Sequence, residues 1–443
     1  MNRFYKVTTV TVLTIFTPLL CAGQSNSKDD SVQITGQATF TLQGVTAFRS
    51  PYQGQNSLVS IPQARLSHTY TLFIGKLICP RVEGFIDPEM ARGGGIGDAL
   101  GLAGFTNGDV IRNPTLGQDP YLGRYFLRWT VPTARGEESV EKGDNQFAGK
   151  RPLHRVVVTA GKFGTNDIFD SNGYANSTRT QFLNWALINN PAYDYAADTR
   201  GYTQGVAIEW INPAYAVRFG SFLMPTVANG TDLDYHLDNS RGDQLELTIH
   251  AVLMRHHDQA TVRLLGYRNL ARMGSYAESL AAVRGSVPDI MATRQPGRVK
   301  YGFGLNFEQP LGQEGETGLF GRLGWSDGKT ESFAYTEADD HVSIGLQVSG
   351  QKWKRKGDLV GVAMSSTGLS ASHRDYLSAG GAGFILGDGK LNYGRETLLE
   401  TYYLHALSKT SSLTFGSQLI SNPGYNKDRG PVPTFTLRFH TQF

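Results

Sequence analysis

The final residues of the chain alternate between apolar and polar side chains. Phe435, Leu437, Phe439 and Phe443 are apolar, whereas the intervening residues are Thr, Arg, His and Gln. A period of two places the apolar side chains on one face of a β-strand and the polar ones on the other. Such a two-faced strand at the very end of a chain is typical of the last strand of an outer-membrane β-barrel, which has lipid outside and water inside.

The same alternation recurs along most of the chain. In its first instance Val32, Ile34, Ala38, Phe40 and Leu42 alternate with uncharged polar residues. Further strands are predicted at 63–78, 81–88, 121–131, 154–163, 203–211, 214–224, 243–254, 259–272, 297–309, 317–327, 340–351, 357–367, 395–407, 411–421 and 432–443. The sequence therefore predicts an all-β fold, a transmembrane antiparallel β-barrel of about 16 strands, an even number as in single-chain bacterial barrels.

The connections between these strands alternate in length. Those after odd-numbered strands are long, and those after even-numbered strands are mostly tight, as expected for long extracellular loops and short periplasmic turns. The segment 132–153 breaks the rule, because it is long where a short turn is expected. Either it is a periplasmic excursion or the strand count is wrong by a pair. A helical pattern is confined to Thr178–Ile188, inside a loop.

The N-terminus and the composition agree with a location in the outer membrane. Arg3 and Lys6 precede an apolar stretch, and small residues follow at Ala22 and Gly23, which predicts a secretory signal peptide over residues 1–23. Residues 24–443 then form a single barrel domain. No stretch has the length of a spanning helix, and once the signal peptide is removed only Cys79 remains, so no internal disulfide and no thiolate metal site is expected.

Several charged residues of the predicted strands occupy the polar positions of the alternation, which face the lumen. The alternation turns Arg65, Arg124, Arg128 and Arg322 inward, and each is a candidate pore-lining residue. The alternative is that these side chains only form ion pairs that stabilise the wall. A lipid-facing arginine costs about 2–4 kcal/mol at the bilayer midplane, so charges point inward whether or not they act in transport.

The loop 164–202 is rich in amides, charges and aromatic rings. Its candidate pore-lining residues are Asp167, Asp170, Arg179 and Trp185, and Lys162 lies just before it. If the loop folds into the lumen, these side chains suit sugars, whose hydroxyls need donors and acceptors and whose C–H faces lie against aromatic rings. The alternative is an ordinary surface loop.

Signals for other chemistry are weak. The near-neutral balance, with a formal net charge of +3 for the full chain, gives no general attraction to nucleic acid. Gly328-Lys329-Thr330 resembles the end of a phosphate-binding loop, but Leu323 stands where a glycine is required. No serine stands in a plausible hydrolase motif, so we expect neither enzymatic activity nor a cofactor or metal.

Several motifs, in order along the chain, resemble those of the carbohydrate-selective porins. They are Gly101–Gly108, Gly161–Asp170, Tyr174–Asn176, Arg179–Trp185, Gly324–Phe333, His373–Tyr376, Gly387–Gly389 and Asn422–Pro431. The resemblance implies a sixteen-stranded barrel through which small carbohydrates such as glucose diffuse passively. It also implies that loop 164–202 lines the constriction, close to Arg124 and Arg128. The segment Thr133–Pro152 departs from the family pattern.

Three rival functions follow from the same residues. A general or anion-preferring porin shares every fold argument and differs only in its lumen. A barrel hydrolase acting on lipid and a secreted all-β sugar-binding protein are the other two. For the porin, the expected partners are small carbohydrates, outer-membrane lipid and lipopolysaccharide, and the barrel assembly machinery, which would recognise the strand ending at Phe443. The sequence leaves open whether the barrel is a monomer or a homotrimer.

Overall fold

The computed structural model describes residues 31–110, 116–252, 259–283, 286–311, 316–333 and 336–443. The predicted signal peptide, 1–23, lies outside these residues. The strands of the first half are β1 (Val32–Val45), β2 (Gln63–Cys79), β3 (Val82–Gly93), β4 (Tyr121–Pro132), β5 (Glu137–Val140), β6 (Gly149–Pro152), β7 (Arg155–Phe163), β8 (Thr203–Ile211) and β9 (Tyr215–Phe222). Those of the second half are β10 (Arg241–Ala251), β11 (Ala260–Met273), β12 (Gln295–Pro310), β13 (Gly318–Ser326), β14 (Asp340–Ser349), β15 (Leu359–Gly368), β16 (Glu396–Ala406), β17 (Ser411–Ser421) and β18 (Val432–Gln442).

All strands except β5 and β6 form one closed barrel. Each pairs with its neighbour in the chain, β4 pairs with β7, and β1 closes the barrel against β18. The closing pair is antiparallel and brings Phe40 opposite Phe439. The prediction of a sixteen-stranded antiparallel barrel is confirmed.

The period-two pattern decides which side chains meet the outside. Ile34 and Phe303 are each 59% exposed on the outer surface, whereas Thr39 and Arg438 on the inner face are at most 1% exposed. An apolar outer band and a polar interior are what lipid outside and water inside require. Loops fill part of the interior, which explains why so many of its polar residues are buried.

In the described ranges the helices are few and short. They are α1 (Trp185–Ile188), α2 (Tyr276–Ala282) and α3 (Ala371–Ser378), with 3₁₀ turns at Ile96–Ala99, Thr165–Asp167, Met291–Thr293, Gly350–Trp353 and Pro423–Tyr425. None of the helices in the described ranges has the length and apolarity to cross a membrane. The helix predicted over Thr178–Ile188 is shorter than expected, because Asn184 caps its N-terminus by accepting a hydrogen bond from the Ala186 amide.

The segment 132–153 is an excursion and not a missed pair of barrel strands. Its strands β5 and β6 form a separate two-stranded hairpin between β4 and β7. The Thr133 amide donates to the His154 carbonyl at 2.9 Å, so the β4–β7 ladder continues to the base of the hairpin. The excursion lies at the short-turn end of the barrel, which faces the periplasm in barrels of this kind.

Candidate functional site

Loop 164–202 enters the lumen and is tied to the barrel wall through Arg322. The guanidinium donates to the Asp170 carboxylate at 3.0 Å and to the backbone carbonyls of Leu187 and Ala175 at 2.8 and 2.9 Å. On the neighbouring strand, Asn306 donates to the Asp170 side chain at 2.8 Å. Arg322 has almost no exposed surface, and its hydrogen bonds satisfy a charge that would be costly to bury alone.

A second set of wall residues holds the middle of the same loop. The Glu400 carboxylate accepts hydrogen bonds from the backbone amides of Leu183 and Asn184 at 2.6 and 2.9 Å. Arg438 donates to the carbonyl of Gln181 at 2.8 Å and also to that of Thr178. These contacts fix the loop against β16 and β18, so its position in the lumen is set by buried polar bonds at several points.

Residues 94–110, in the connection between β3 and β4, enter the lumen beside it. The Trp185 amide donates to the Phe105 carbonyl at 3.0 Å, and the two aromatic rings meet edge to face with centroids 6.1 Å apart. Gln418 donates to the Thr106 carbonyl at 2.8 Å, and Glu396 accepts from the amide of Ala103 at 2.9 Å. The two loops together occupy the side of the lumen next to β16 and β17.

A cavity of about 1590 Å³ remains on the other side of the lumen. Its walls are inward-facing residues of β1–β4, β7–β9 and β18, the loop 164–202 and the hairpin β5–β6. Many of the side chains that line it are charged or aromatic. They include Glu89, Tyr121, Arg124, Arg128, Asp144, Asp167, Arg179, Trp185, Arg200 and Tyr202.

Arg124 lies at the centre of this wall. It makes a two-pronged contact with Asp167, with both nitrogen–oxygen distances at 2.7 Å, and it lies 3.8 Å from Asp87. Its guanidinium also lies over the Tyr202 ring, 5.0 Å from the centroid. A fork-shaped pair of this kind fixes the orientation of the guanidinium, and its remaining nitrogen lies 3.5 Å from the Tyr202 hydroxyl.

Arg179 extends from loop 164–202 into the same group. It pairs with Asp109 at 3.0 Å and with Glu89 at 3.4 Å, and Glu89 also accepts a hydrogen bond from the Tyr202 hydroxyl at 3.0 Å. Burial acts to lower the pKa of Arg179, but the carboxylates of Asp109 and Glu89 raise it above its usual value. Arg179 is therefore a permanent cation within the lumen.

Arg128 lies closer to the periplasmic end. It pairs with Glu83 at 3.4 Å and donates to the carbonyl of Asn145, in the hairpin tip, at 2.9 Å. Its guanidinium covers the rings of Phe85 and Phe126, at 5.1 and 5.4 Å from their centroids. Parity assigns Arg128 to the lumen, but these partners come from distant parts of the chain and follow only from the fold.

The nine residues singled out from the sequence separate into two groups. Five of them line the cavity together: Arg124, Arg128, Asp167, Arg179 and Trp185. The other four, Arg65, Lys162, Asp170 and Arg322, are not among its lining residues.

The second group has other partners. Lys162 lies 3.5 Å from Asp198, and Arg65 is half exposed and 3.8 Å from Asp98. Asp170 and Arg322 hold the back of the loop and are buried. Parity and loop membership identify which residues point inward, but not how deep in the barrel they lie.

Sequence reasoning missed several residues of the same wall. Glu89, Tyr121, Tyr202 and Asn145 all line the cavity, and Arg200 lies over the Tyr121 ring at 3.9 Å from its centroid. Glu89 lies beyond the predicted end of its strand at residue 88, and an extended alternation would have included it. Tyr202 and Asn145 lie in loops, where no periodic signal exists.

The closed sixteen-stranded barrel, apolar outside and with a polar lumen narrowed by loops, defines an integral outer-membrane channel of the porin class. The chain belongs to the carbohydrate-selective porin, OprB family, whose family model matches residues 146–443.

Solved structures support the same fold. The high-pH structure of Pseudomonas putida OprB matches with a TM-score of 0.68 at 16% sequence identity, covering 94% of this chain and 95% of that one. The low-pH structure of the same protein matches with a TM-score of 0.50 at 13% identity, covering 94% and 93% of the two chains. No curated protein matches this chain significantly in sequence.

Proposed function

We propose that the protein lets small carbohydrates such as glucose diffuse passively across the outer membrane through the cavity beside loop 164–202. The observation that carries the proposal is the alternation of guanidinium groups, carboxylates and tyrosine rings around Arg124 and Arg179. No covalent step and no nucleotide is needed. Solute would move down its own gradient.

The chemistry of this wall fits an uncharged, hydroxyl-rich solute. A sugar hydroxyl both donates and accepts hydrogen bonds, so it needs arginine donors and carboxylate acceptors side by side. The Trp185 side chain also lines the cavity, and its ring would contact the C–H groups of the sugar, whereas the face of the Tyr202 ring is covered by Arg124. Binding must remain weak enough for release, as in any selective pore.

The pairing of the charges favours a sugar-preferring pore over an anion-preferring one. Arg124, Arg128 and Arg179 each lie within 3.4 Å of a carboxylate oxygen. Their charge is therefore largely neutralised within the wall, while hydrogen-bonding edges remain available. A pore built to attract anions would need cations without such partners, and of the four arginines named in this lining only Arg200 has no ion pair with a described residue.

The direct test compares solute entry into liposomes that contain the purified protein. We expect glucose to enter faster than an uncharged amino acid of similar size, with a rate that saturates, and glucose to reduce the ion current through single channels. Equal rates without saturation would contradict the sugar preference and indicate a general porin.

The double variant Arg124→Ala, Arg128→Ala tests the named residues. Hydrogen bonds to charged groups contribute about 1.5–3 kcal/mol, so we expect the half-saturating glucose concentration to rise about tenfold or more. The carboxylates left without partners should also shift the ion preference towards cations. Arg65→Ala, which removes a half-exposed arginine away from the cavity, is the matched control and should change neither property.

Unchanged sugar saturation and ion preference in the double variant would rule out a role for these two arginines. The remaining sequence expectations stay predictions: residues 24–443 as the mature barrel, contact with lipopolysaccharide and the barrel assembly machinery, and a homotrimer as one of two assembly states.

A further inference from the structure

The hairpin β5–β6 does not project away from the barrel but folds back into its periplasmic end. Its tip contacts the inner wall on three strands. Gln33 on β1 donates to the Gly143 carbonyl at 3.0 Å, and Asn145 donates to Asp87 on β3 at 2.7 Å. Arg128 on β4 donates to the Asn145 carbonyl at 2.9 Å. The tip therefore lies inside the periplasmic end of the lumen, against the wall formed by β1–β4.

Two further contacts fix the hairpin along its length. Phe147 lies against Phe85 with ring centroids 5.8 Å apart, so it covers an aromatic patch on the inner wall. At the base, Glu138 pairs with Arg151 at 2.9 Å and with Arg155 of β7 at 3.2 Å. An excursion into solvent would need none of these contacts.

The tip also carries a carboxylate that faces the cavity. Asp144 lines the same cavity as Arg124 and Arg179, and it makes no hydrogen bond or ion pair with any described residue. Burial raises the pKa of Asp144, and the charges of Arg179 and Arg124 act against that rise. Other carboxylates of the same lining, such as Asp167 and Glu89, are already paired with arginines.

We propose that this hairpin is a second selective narrowing of the pore, in series with loop 164–202, and that Asp144 accepts hydrogen bonds from sugar hydroxyls on the side opposite Arg124 and Arg179. The role given to the sugar rests on the proposed function. The existence of a second narrowing does not rest on the proposed function, because a narrowing restricts the passage of any solute. The match to the family model begins at residue 146, so Asp144 and Asn145 precede it.

Replacing the hairpin tests the narrowing. Because the Thr133 amide bonds to the His154 carbonyl, residues 134–153 can be replaced by Asn-Gly, which closes β4 and β7 with a two-residue turn. If two narrowings of similar resistance act in series, removing one should raise single-channel conductance about twofold. A trisaccharide too large for the native pore should then enter liposomes. Ser139→Ala, on an exposed position of β5, is the control.

A milder variant covers the case in which the replaced barrel fails to fold. Asn145 has a φ of 53°, which glycine adopts without strain, so Asn145→Gly keeps the turn and removes the hydrogen bond to Asp87. We expect conductance above that of the native protein. If correctly folded variants of both kinds keep the native conductance and size limit, the hairpin lies outside the permeation path and the proposal is overturned.

Asp144→Asn tests the carboxylate while keeping its shape. We expect the single-channel conductance to equal that of the native protein. The half-saturating glucose concentration should rise severalfold, and the ion preference should shift towards anions. Asp98→Asn, a half-exposed aspartate beside Arg65, is the matched control. Unchanged saturation and ion preference in Asp144→Asn would remove Asp144 from the proposal. Absence of glucose saturation in the native protein would instead contradict the proposed function, and the conductance of the hairpin variants would still decide the narrowing.

Discussion

Arg322 is a buried cation whose hydrogen bonds hold a loop and not a solute. It donates to the Asp170 side chain and to three backbone carbonyls, those of Asp170, Leu187 and Ala175. Removing one partner of a buried pair leaves the other charge without compensation, which costs about 3–5 kcal/mol. Its contribution to transport is therefore indirect, through the position of loop 164–202.

Arg322→Met should thus loosen the loop without unfolding the barrel. We expect a larger and less steady single-channel current, together with faster cleavage of loop 164–202 by added protease. Arg65→Met, at a half-exposed position, should leave both unchanged. A steady current of native size in Arg322→Met would show that the other anchors, such as Glu400, suffice to hold the loop.

For single residues, the sequence predicts whether a side chain points into the lumen better than it predicts what that side chain does there. Arg124 and Arg322 share inward parity, yet one lines the cavity and the other is buried behind the loop. The difference depends on partners more than forty residues away, such as Asp167 for Arg124 and Asp170 for Arg322. No local pattern records such pairings, so the candidate site could be predicted only as a set of inward charges.

Among the elements, the extracellular loops are joined by a buried chain of side chains between α2 and α3. The Tyr276 hydroxyl bonds to His373 Nε2 at 3.1 Å, and His373 Nδ1 bonds to Asp339 at 3.0 Å. The rings of Tyr276 and His373 also stack with centroids 4.2 Å apart. Burial alone would raise the pKa of Asp339, but His373, Lys300 and the Ser370 amide lower it to about 2.

The hydrogen bonds from Tyr276 through His373 to Asp339 predict that the loops lose stability in acid. Because the pKa of Asp339 is lower in the folded protein than its unfolded value of about 3.9, its contribution to stability is present above about pH 4 and is lost as pH falls towards 2. We expect pepsin to cleave the loops faster at pH 2 than at pH 4, after correction for its rate on an unstructured peptide. Asp339→Asn should abolish that difference, whereas a persisting difference would assign it to other groups.

For the molecule as a whole, the apolar outer face sets the membrane position of the barrel. Phe303 lies near the middle of β12, is 59% exposed, and stacks on Trp325 with centroids 6.0 Å apart. Phe303→Arg should lower the free energy of unfolding by about 2–4 kcal/mol, measured by denaturant titration in bilayers. Phe303→Leu is the control. If Phe303→Arg lowers the free energy of unfolding by less than about 1 kcal/mol, position 303 lies near the membrane–water interface.

The barrel is the part of the fold that sequence could predict almost completely. Its strands lie between two solvents, so the alternation at positions such as Val32 to Gln43 is written into each strand locally. The loops that fill part of the lumen could not be predicted in this way, because long-range contacts hold them. Glu400 meets Leu183 and Glu396 meets Ala103 across more than two hundred residues, and these contacts have no periodic signal.

The cavity runs along one wall because the opposite half of the lumen is occupied by loops. A molecule in this off-axis passage meets β1–β4 and β7–β9 on one side and loop 164–202 on the other, and so cannot tumble as it would in open water. We therefore expect the loss of rotational entropy on entry to contribute to the barrier to passage. Such a pore discriminates by how readily a solute accepts one orientation, and it can do so without a deep energy minimum that would delay exit.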